Sequence, residues 1–217
     1  MPSNTQKILA EIYRKLFIHF GPQHWWPGET PFEVMVGAIL TQNTNWGNVV
    51  KAIANLKKAD VLSLQGLEKI PPARLAELIR PAGYFNVKTK RLKSFIHFLS
   101  TEYGGSVEIL CAEELSILRE KLLAVKGIGP ETADSILLYA AEKPIFVIDQ
   151  YTYRVLTRHF LVTEETTYDE MQDLMMRHVK EEAPHYNEYH AQIVMVGKHF
   201  CGKTPKCETC PLKGVNW

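Results

Sequence analysis

Residues 122–156 read LLAVKGIGPETADSILLYAAEKPIFVIDQYTYRVL and decide the fold. Apolar residues at helical spacing lead into Gly127-Ile128-Gly129, where two glycines that can take positive φ angles predict a helix break. Pro130 suits the first position of a second helix, because that position needs no N–H donor. Such a turn leaves backbone N–H groups at a helix N-terminus, where they can hold a phosphate without reading a base. The alternative is a tight turn between packed helices.

Asp149 lies further along the same stretch, at the end of the apolar run Ile145-Phe146-Val147-Ile148. A carboxylate at the end of a hydrophobic segment is costly unless it has a task, so the pattern favours a functional aspartate. The alternative is an N-cap for a helix over residues 150–159. The two roles are compatible with each other.

With these two elements in this order, the chain resembles the helix-hairpin-helix (HhH-GPD) DNA glycosylases of the endonuclease III superfamily. The resemblance is carried by the Gly-Ile-Gly hairpin, by Thr132-Ala133, and by Val147-Ile148-Asp149 before a Tyr-Arg-Val-Leu helix. It extends over nearly the whole chain. It implies a base-excision-repair enzyme that hydrolyses the N-glycosidic bond of a flipped, damaged base in double-stranded DNA.

The same resemblance implies an all-α fold of two helical lobes, with the active site in the cleft between them. The contiguous lobe would span residues 25–126, and the discontinuous lobe would combine 1–24 with 127–217 and carry the hairpin, Asp149 and a C-terminal cysteine loop. Helical spacing and two capping boxes, which begin at Thr30 and Thr167, agree with an all-helical chain. Helices are predicted over residues 6–20, 31–41, 46–57, 72–79, 88–103, 112–123, 130–141, 150–159, 168–182 and 187–200.

Glu131 and Asp149 set the predicted chemistry. In the bifunctional proteins that the chain resembles, a lysine stands at the position of Glu131, and its amine forms a Schiff base with the sugar. A carboxylate cannot form an imine, so we predict a monofunctional glycosylase without lyase activity. The resemblance implies that Asp149 stabilises the oxocarbenium-like centre left by the departing base and orients or deprotonates the attacking water.

Two loops resemble the loops that enter DNA in relatives. Gln42, within Leu40-Thr41-Gln42-Asn43-Thr44, matches the glutamine that fills the space of the flipped nucleotide, and Tyr84, after Gly83, matches the wedge. The hairpin residues Gly127, Ile128 and Gly129 and a basic run are the predicted contacts with DNA phosphates. The basic run consists of Lys88, Lys90, Arg91 and Lys93. The alternatives are a surface role for Gln42, core packing for an aromatic of the wedge loop, and a solvated helix face for the basic run.

Four residues, Trp25, Trp26, Pro27 and Trp46, form an unusual set of rigid side chains. Together with the loop and hairpin motifs they resemble the bacterial 3-methyladenine DNA glycosylases of the superfamily, which implies that they and Glu131 line the pocket for the base. Electron-rich indole faces attract a positively charged alkylated purine by about 0.5–2 kcal/mol beyond stacking. Such a base leaves in its neutral form and needs little general-acid help. The alternative is that the tryptophans pack between the lobes.

Cys201, Cys207 and Cys210 have the spacing C-x5-C-x2-C, close to the C-x6-C-x2-C-x5-C loop of endonuclease III-like proteins. Asn216 stands where a fourth cysteine would complete a [4Fe–4S] cluster. Three interpretations stay open: no metal, a zinc site completed by a residue such as His199, or a labile cluster. We favour the metal-free interpretation, because the chain departs from the cluster pattern in two independent ways: the fourth cysteine is missing, and the spacing between the first two cysteines is one residue shorter. The predicted chemistry requires no cofactor.

Composition agrees with this class of protein. The chain has 217 residues, of which 46% are hydrophobic, and a net charge of +1, which argues for a local basic contact with DNA. No apolar run reaches about eighteen residues and no secretory signal is recognisable, which favours a cytoplasmic protein. The resemblance implies a monomer that works on the prokaryotic nucleoid. Two rival functions stay open: a glycosylase with other lesion or mismatch specificity, and a noncatalytic DNA-binding protein in which Asp149 only caps a helix.

Overall fold

Capping residues set where several helices begin. The Thr30 hydroxyl accepts from the Glu33 N–H at 3.2 Å, but the Glu33 carboxylate pairs with Lys57 at 2.9 Å and leaves this predicted capping box without its reciprocal bond. At Thr167 the box is complete, since the hydroxyl accepts from the Glu170 N–H and the Glu170 carboxylate accepts from the Thr167 N–H.

The computed structural model describes residues 2–215, and no β-strand occurs among them. The α-helices are α1 (Asn4–Phe20), α2 (Pro31–Thr41), α3 (Trp46–Lys58), α4 (Leu64–Lys69), α5 (Pro72–Leu78), α6 (Phe85–Tyr103), α7 (Val107–Ala112), α8 (Leu115–Ala124), α9 (Pro130–Ser135), α10 (Gln150–Arg158), α11 (Tyr168–His178) and α12 (Ala183–His199). Two 3₁₀ turns, Arg80–Ala82 and Cys207–Thr209, and a π-helical segment, Ile136–Ala140, complete the regular structure. The predicted all-α class is confirmed.

Two compact units divide the chain. One unit is the continuous segment Pro27–Glu142, and the other combines the chain up to Trp26 with the chain from Lys143 onward. This differs from the predicted lobes, which assigned residues 127–142 to the discontinuous part. The reason is packing: α9 and the π-helical segment lie against α2 and α8, so the hairpin belongs to the continuous unit.

Each unit has its own core. In the continuous unit α2 is buried on all sides, from Val34 to Leu40, and packs against α3, α6, α9 and the π-helical segment. In the discontinuous unit α12 packs against α1 and α10, and the buried Tyr189 hydroxyl donates to the Leu9 carbonyl at 2.8 Å. Among the described helices, none combines the length and the apolar character that crossing a bilayer requires.

Candidate active site

Asp149 follows an extended, buried run. Ile145 to Ile148 are each no more than 3% exposed. The run has no strand partner; instead, the Gln172 side-chain amide donates to the Phe146 carbonyl at 2.7 Å. Asp149 ends the run as the N-cap of α10, and its Oδ1 accepts from the Thr152 N–H at 2.7 Å. The predicted cap is therefore confirmed, and it fixes one carboxylate oxygen.

His190, on α12, faces the other oxygen of Asp149. Its Nε2 lies 3.6 Å from Asp149 Oδ2, and the two side chains are 5% and 13% exposed. Burial alone would raise the pKa of Asp149, but the neighbouring His190 charge and the hydrogen bond from Thr152 outweigh burial and hold this pKa below its ordinary value. The carboxylate is thus held ionised, with a small part of its surface open to solvent.

Sequence reasoning missed His190. The signal that could have found it is the position of His190 and Gln192 among the apolar residues 189–196 of α12, since buried polar side chains need internal partners. Glu188 and Gln192 have hydrogen-bond partners within the same unit, and His190 faces Asp149. Glu188 accepts from the Gln23 N–H at 3.1 Å, and the Gln192 amide donates to the Gly21 carbonyl at 2.7 Å.

These contacts of α12 fix the segment that leads into Trp25 and Trp26. The two indole rings lie 5.7 Å apart and are inclined by 71°, an edge-to-face pair. Because the rings are far from parallel, at most one of them can lie face-on against a given base. Both side chains are half-buried, as is Trp46 at the start of α3, whereas Pro27 is exposed.

The hairpin turn uses its two glycines differently from the prediction. Only Gly127 has a positive φ, +95°, and a Cβ there would lie 2.4 Å from Cγ of Arg91. Gly129 is extended and is the N-cap residue of α9. Ile128 does not suit the predicted DNA contact, because its side chain is 5% exposed and its N–H donates to the Val125 carbonyl. Ile128 anchors the turn in the core, while Gly127, Gly129 and Glu131 are exposed.

Gln42 contacts the hairpin directly. Its side-chain nitrogen donates to the Gly127 carbonyl at 3.0 Å and to the Thr132 hydroxyl at 2.9 Å. Its side-chain oxygen accepts from the guanidinium of Arg91. The aliphatic part of Arg91 in turn covers Gly127. Gln42, Arg91 and the hairpin therefore form one hydrogen-bonded cluster within the continuous unit.

Tyr84 is presented to solvent by an unusual backbone. Gly83 and Tyr84 both have positive φ angles, 69° and 43°, immediately before α6. Left-handed backbone is uncommon outside glycine, and it occurs where surrounding structure enforces it. The Tyr84 side chain is 69% exposed, whereas the Phe85 ring lies under the Arg80 guanidinium at 5.3 Å. Of the two adjacent aromatics, Tyr84 alone is free of such a ring contact and largely exposed.

Most of the predicted basic patch is hydrogen-bonded within the protein, and burial makes Lys88 a wrong choice for a DNA contact. Lys88 is 1% exposed and its ammonium donates to two backbone carbonyls, so it is not available to a phosphate. Lys93 donates to the carbonyls of Leu67, Glu68 and Ile70, at the end of α4. With Arg91 bound to Gln42, only Lys90 of the run is exposed.

Comparison with known proteins assigns the family. Residues 36–181 match the model of the HhH-GPD superfamily base excision DNA repair protein. The chain belongs to the HhH-GPD superfamily. A relative from Methanocaldococcus jannaschii, provisionally named a DNA repair glycosylase, is 44% identical over 214 residues, which cover 98% of this chain and 97% of the relative.

Solved structures of HhH-GPD proteins resemble this chain. H. pylori 3-methyladenine DNA glycosylase (MagIII), bound to 1,N6-ethenoadenine, has a TM-score of 0.78 and 32% identity, with 90% of this chain and 98% of that one covered. An endonuclease III–DNA complex has a TM-score of 0.83 at 19% identity, over 98% and 95% of the chains, and shows the shared fold alone. The chain is a DNA N-glycosylase of base excision repair, and the noncatalytic alternative is set aside.

For the C-terminal cysteine loop, the metal-free interpretation stays a prediction. Cys201 is buried and Cys207 exposed, and in residues 2–215 no group of three or more histidine, cysteine or carboxylate side chains is arranged to hold a metal ion. Asn216 lies outside the described residues. Instead, Arg158 of α10 donates to the Gly202 carbonyl at 2.7 Å and lies 3.2 Å from Cys201 Sγ. A guanidinium thus holds the loop against α10.

Proposed function

We propose that this protein is a monofunctional DNA glycosylase that releases an alkylated purine such as 3-methyladenine from double-stranded DNA. The observation that carries the proposal is the state of Asp149: a carboxylate fixed through one oxygen by the cap of α10, held ionised, and 13% exposed. An ionised, preorganised carboxylate is what a developing oxocarbenium centre needs.

Asp149 would act through the oxygen that the cap leaves available. As the glycosidic bond breaks, positive charge develops on the sugar, and Asp149 Oδ2 stabilises it electrostatically. The same oxygen can accept a proton from the attacking water. The base departs with the electrons of the glycosidic bond, and hydroxide from water adds to C1′. His190, 3.6 Å from this oxygen, keeps the carboxylate oriented and in its charged form.

Glu131 supports the monofunctional part of the proposal. It lies in the first turn of α9, next to the hairpin, with its side chain exposed. A carboxylate has no lone-pair amine with which to attack C1′, so it cannot open the sugar through an imine. Its charge suits the positive end of a helix and the neighbourhood of a cationic base.

The preference for alkylated purines draws on the tryptophans and on similarity. MagIII, a 3-methyladenine glycosylase, is 32% identical to this chain over most of both proteins. A purine methylated at N3 or N7 is cationic, and an indole face attracts it. We propose that Trp46 and one of Trp25 and Trp26 stack on the base, with Pro27 and Glu131 as further contacts. Only one of Trp25 and Trp26 can stack, because their rings are inclined by 71°.

DNA contacts complete the proposal. Tyr84 would wedge into the base stack, and the exposed backbone of Gly127 and Gly129 would hold a phosphate. Gln42 would fill the gap left by the flipped nucleotide. To do so, its amide must exchange its bonds to Gly127, Thr132 and Arg91 for bonds to DNA, so insertion begins from a docked side chain.

The test is the identity of the released base. Purified protein is incubated with methylated duplex DNA, and free bases are separated by chromatography. Release of 3-methyladenine is expected, and it should fall by roughly tenfold or more in Trp46→Ala and in one of Trp25→Ala and Trp26→Ala, with the other much less affected. Equal and small effects in all three variants would return the tryptophans to a packing role.

A second candidate is a glycosylase of endonuclease III type specificity. The observation in its favour is a Thermotoga maritima endonuclease III that is 28% identical over 208 residues, or 95% of this chain and 91% of that protein. Release of an oxidised pyrimidine, with no alkylated purine, from DNA that carries both would favour this candidate.

A further inference from the structure

Lys88 joins the two loops that carry Gln42 and Tyr84. Its ammonium donates to the Leu40 carbonyl at 2.8 Å and to the Ala82 carbonyl at 2.7 Å. Leu40 lies two residues before Gln42, and Ala82 lies two residues before Tyr84. The side chain that holds both is 1% exposed.

Both acceptors are carbonyls at the ends of helical elements. Leu40 is in the last turn of α2, and Ala82 ends the 3₁₀ turn Arg80–Ala82. The Thr44 N–H, which would bond Leu40 in a longer helix, donates to the Thr41 carbonyl instead. Carbonyls at a helix end need partners from outside the helix, and a cation is favourable there.

A buried lysine is costly in itself. Burial, and to a smaller extent the neighbouring Arg91, lowers the pKa of Lys88 to about 8. An apolar residue at this position of α6 would avoid the desolvation cost, but it could not bond the two carbonyls. Lys88 lies on the buried face of α6, in phase with Leu92, Phe95 and Leu99.

We infer that Lys88 is a positioning residue that sets the spacing between Gln42 and Tyr84, so that both enter the DNA at one lesion. The inference rests on the DNA roles proposed for those two residues. Arg91, one turn further along α6, acts on the same assembly, because it bonds the Gln42 side chain and covers Gly127 of the hairpin. In the DNA-free protein, one face of α6 therefore contacts the Gln42 loop, the Tyr84 loop and the hairpin.

The experiment uses a duplex in which 2-aminopurine stands opposite a tetrahydrofuran abasic analogue, so that no base release is needed. The full-length protein is added to saturation, and the change in 2-aminopurine fluorescence reports insertion at the gap. Gln42→Ala and Tyr84→Ala are expected to reduce the change, and Lys88→Met to reduce it by roughly half or more, since a small misplacement of both loops disrupts a shared geometry. Lys58→Met, an exposed lysine of the same unit, should match the wild type.

The fluorescence change is compared at saturating protein, so that a weaker affinity for the duplex does not reduce it. Thermal unfolding checks that each variant is folded. If Lys88→Met does not fold, Lys88→Gln takes its place, because its shorter amide cannot reach both carbonyls. A wild-type amplitude in the folded Lys88 variant, with reduced amplitudes in Gln42→Ala and Tyr84→Ala, would overturn this inference and leave the loop roles standing. Wild-type amplitudes in all of them would overturn the loop roles and the inference together.

Discussion

At the scale of single residues, we propose that Asp149 serves structure and chemistry together. One of its oxygens caps α10, and in the proposed mechanism the other takes part in the reaction. Asparagine caps a helix as well as aspartate does, whereas alanine does not. The two roles can therefore be separated by substitution.

Asp149→Asn is expected to keep the cap of α10 and lose its chemistry. Single-turnover base release should fall by roughly a hundredfold or more, with DNA affinity retained. Asp149→Ala is the matched control, and it should lose the same activity and about 1 kcal/mol of unfolding free energy as well. An Asn variant that keeps most of the wild-type rate would remove Asp149 from the mechanism.

His190 is expected to act on the ionisation of Asp149. Since the His190 charge lowers the pKa of Asp149, His190→Asn should raise that pKa. The reaction needs the ionised carboxylate, so the acidic limb of the pH profile for single-turnover release should move to higher pH, while DNA affinity stays near that of the wild type. A variant with reduced rate but an unshifted acidic limb would assign His190 a packing role only.

At the scale of elements, the predictions succeeded where a cap or a proline marks a boundary. Pro31–Thr41 was predicted with both ends correct, and α10 begins directly after its Asp149 cap. Short elements were missed: neither α4 nor α7 was predicted, and the helix predicted over residues 112–123 begins only at Leu115, after its Glu114 cap. Local signals mark caps well, but a helix of six or seven residues offers too few turns for its period to show.

Lys88 shows why the basic run was misjudged. The predicted helix began at Lys88, at an exposed end, whereas α6 begins at Phe85. Counted along the longer helix, Lys88 is in phase with Leu92, Phe95 and Leu99, and that phase predicts burial. The partners of Lys88 come from distant parts of the chain, and sequence alone does not supply them.

The hairpin gives a paired test of two glycines. Gly127→Ala should lower the unfolding free energy by about 1–3 kcal/mol, because its φ of +95° is unfavourable for alanine and the new Cβ meets Arg91. Gly129→Ala should change it by less than about 1 kcal/mol, since its backbone is extended and nothing lies within 4 Å of a Cβ there. Thermal or denaturant unfolding measures both. Similar losses in the two variants would contradict this description of the turn.

The C-terminal loop gives a test of what holds it. Arg158→Met should lower the melting temperature, because it removes the donor to Gly202 and the contact with Cys201. Treatment of the wild type with a metal chelator should leave its melting temperature unchanged. Stoichiometric iron or zinc in the purified protein, with a melting temperature that falls on chelation, would contradict the metal-free interpretation of the loop.

At the scale of the whole molecule, the chain has an HhH-GPD scaffold, and we propose that Glu131 stands where a lyase needs an amine. The scaffold followed from a few motifs in order, and the family assignment confirms it. The proposed chemistry depends on fewer residues: Asp149 to stabilise charge, and Glu131 in place of a Schiff-base lysine. Since the net charge is +1 and most of the basic run is hydrogen-bonded within the protein, we expect specific loops and backbone groups to bind the DNA.

The most direct test of the central claim is strand breakage in methylated duplex DNA treated with the purified wild-type protein, measured with and without hot alkali. A monofunctional alkylpurine glycosylase leaves intact abasic strands, so breaks should appear only after alkali, in proportion to the 3-methyladenine released. Breaks of equal number without alkali would show a lyase step and contradict the account.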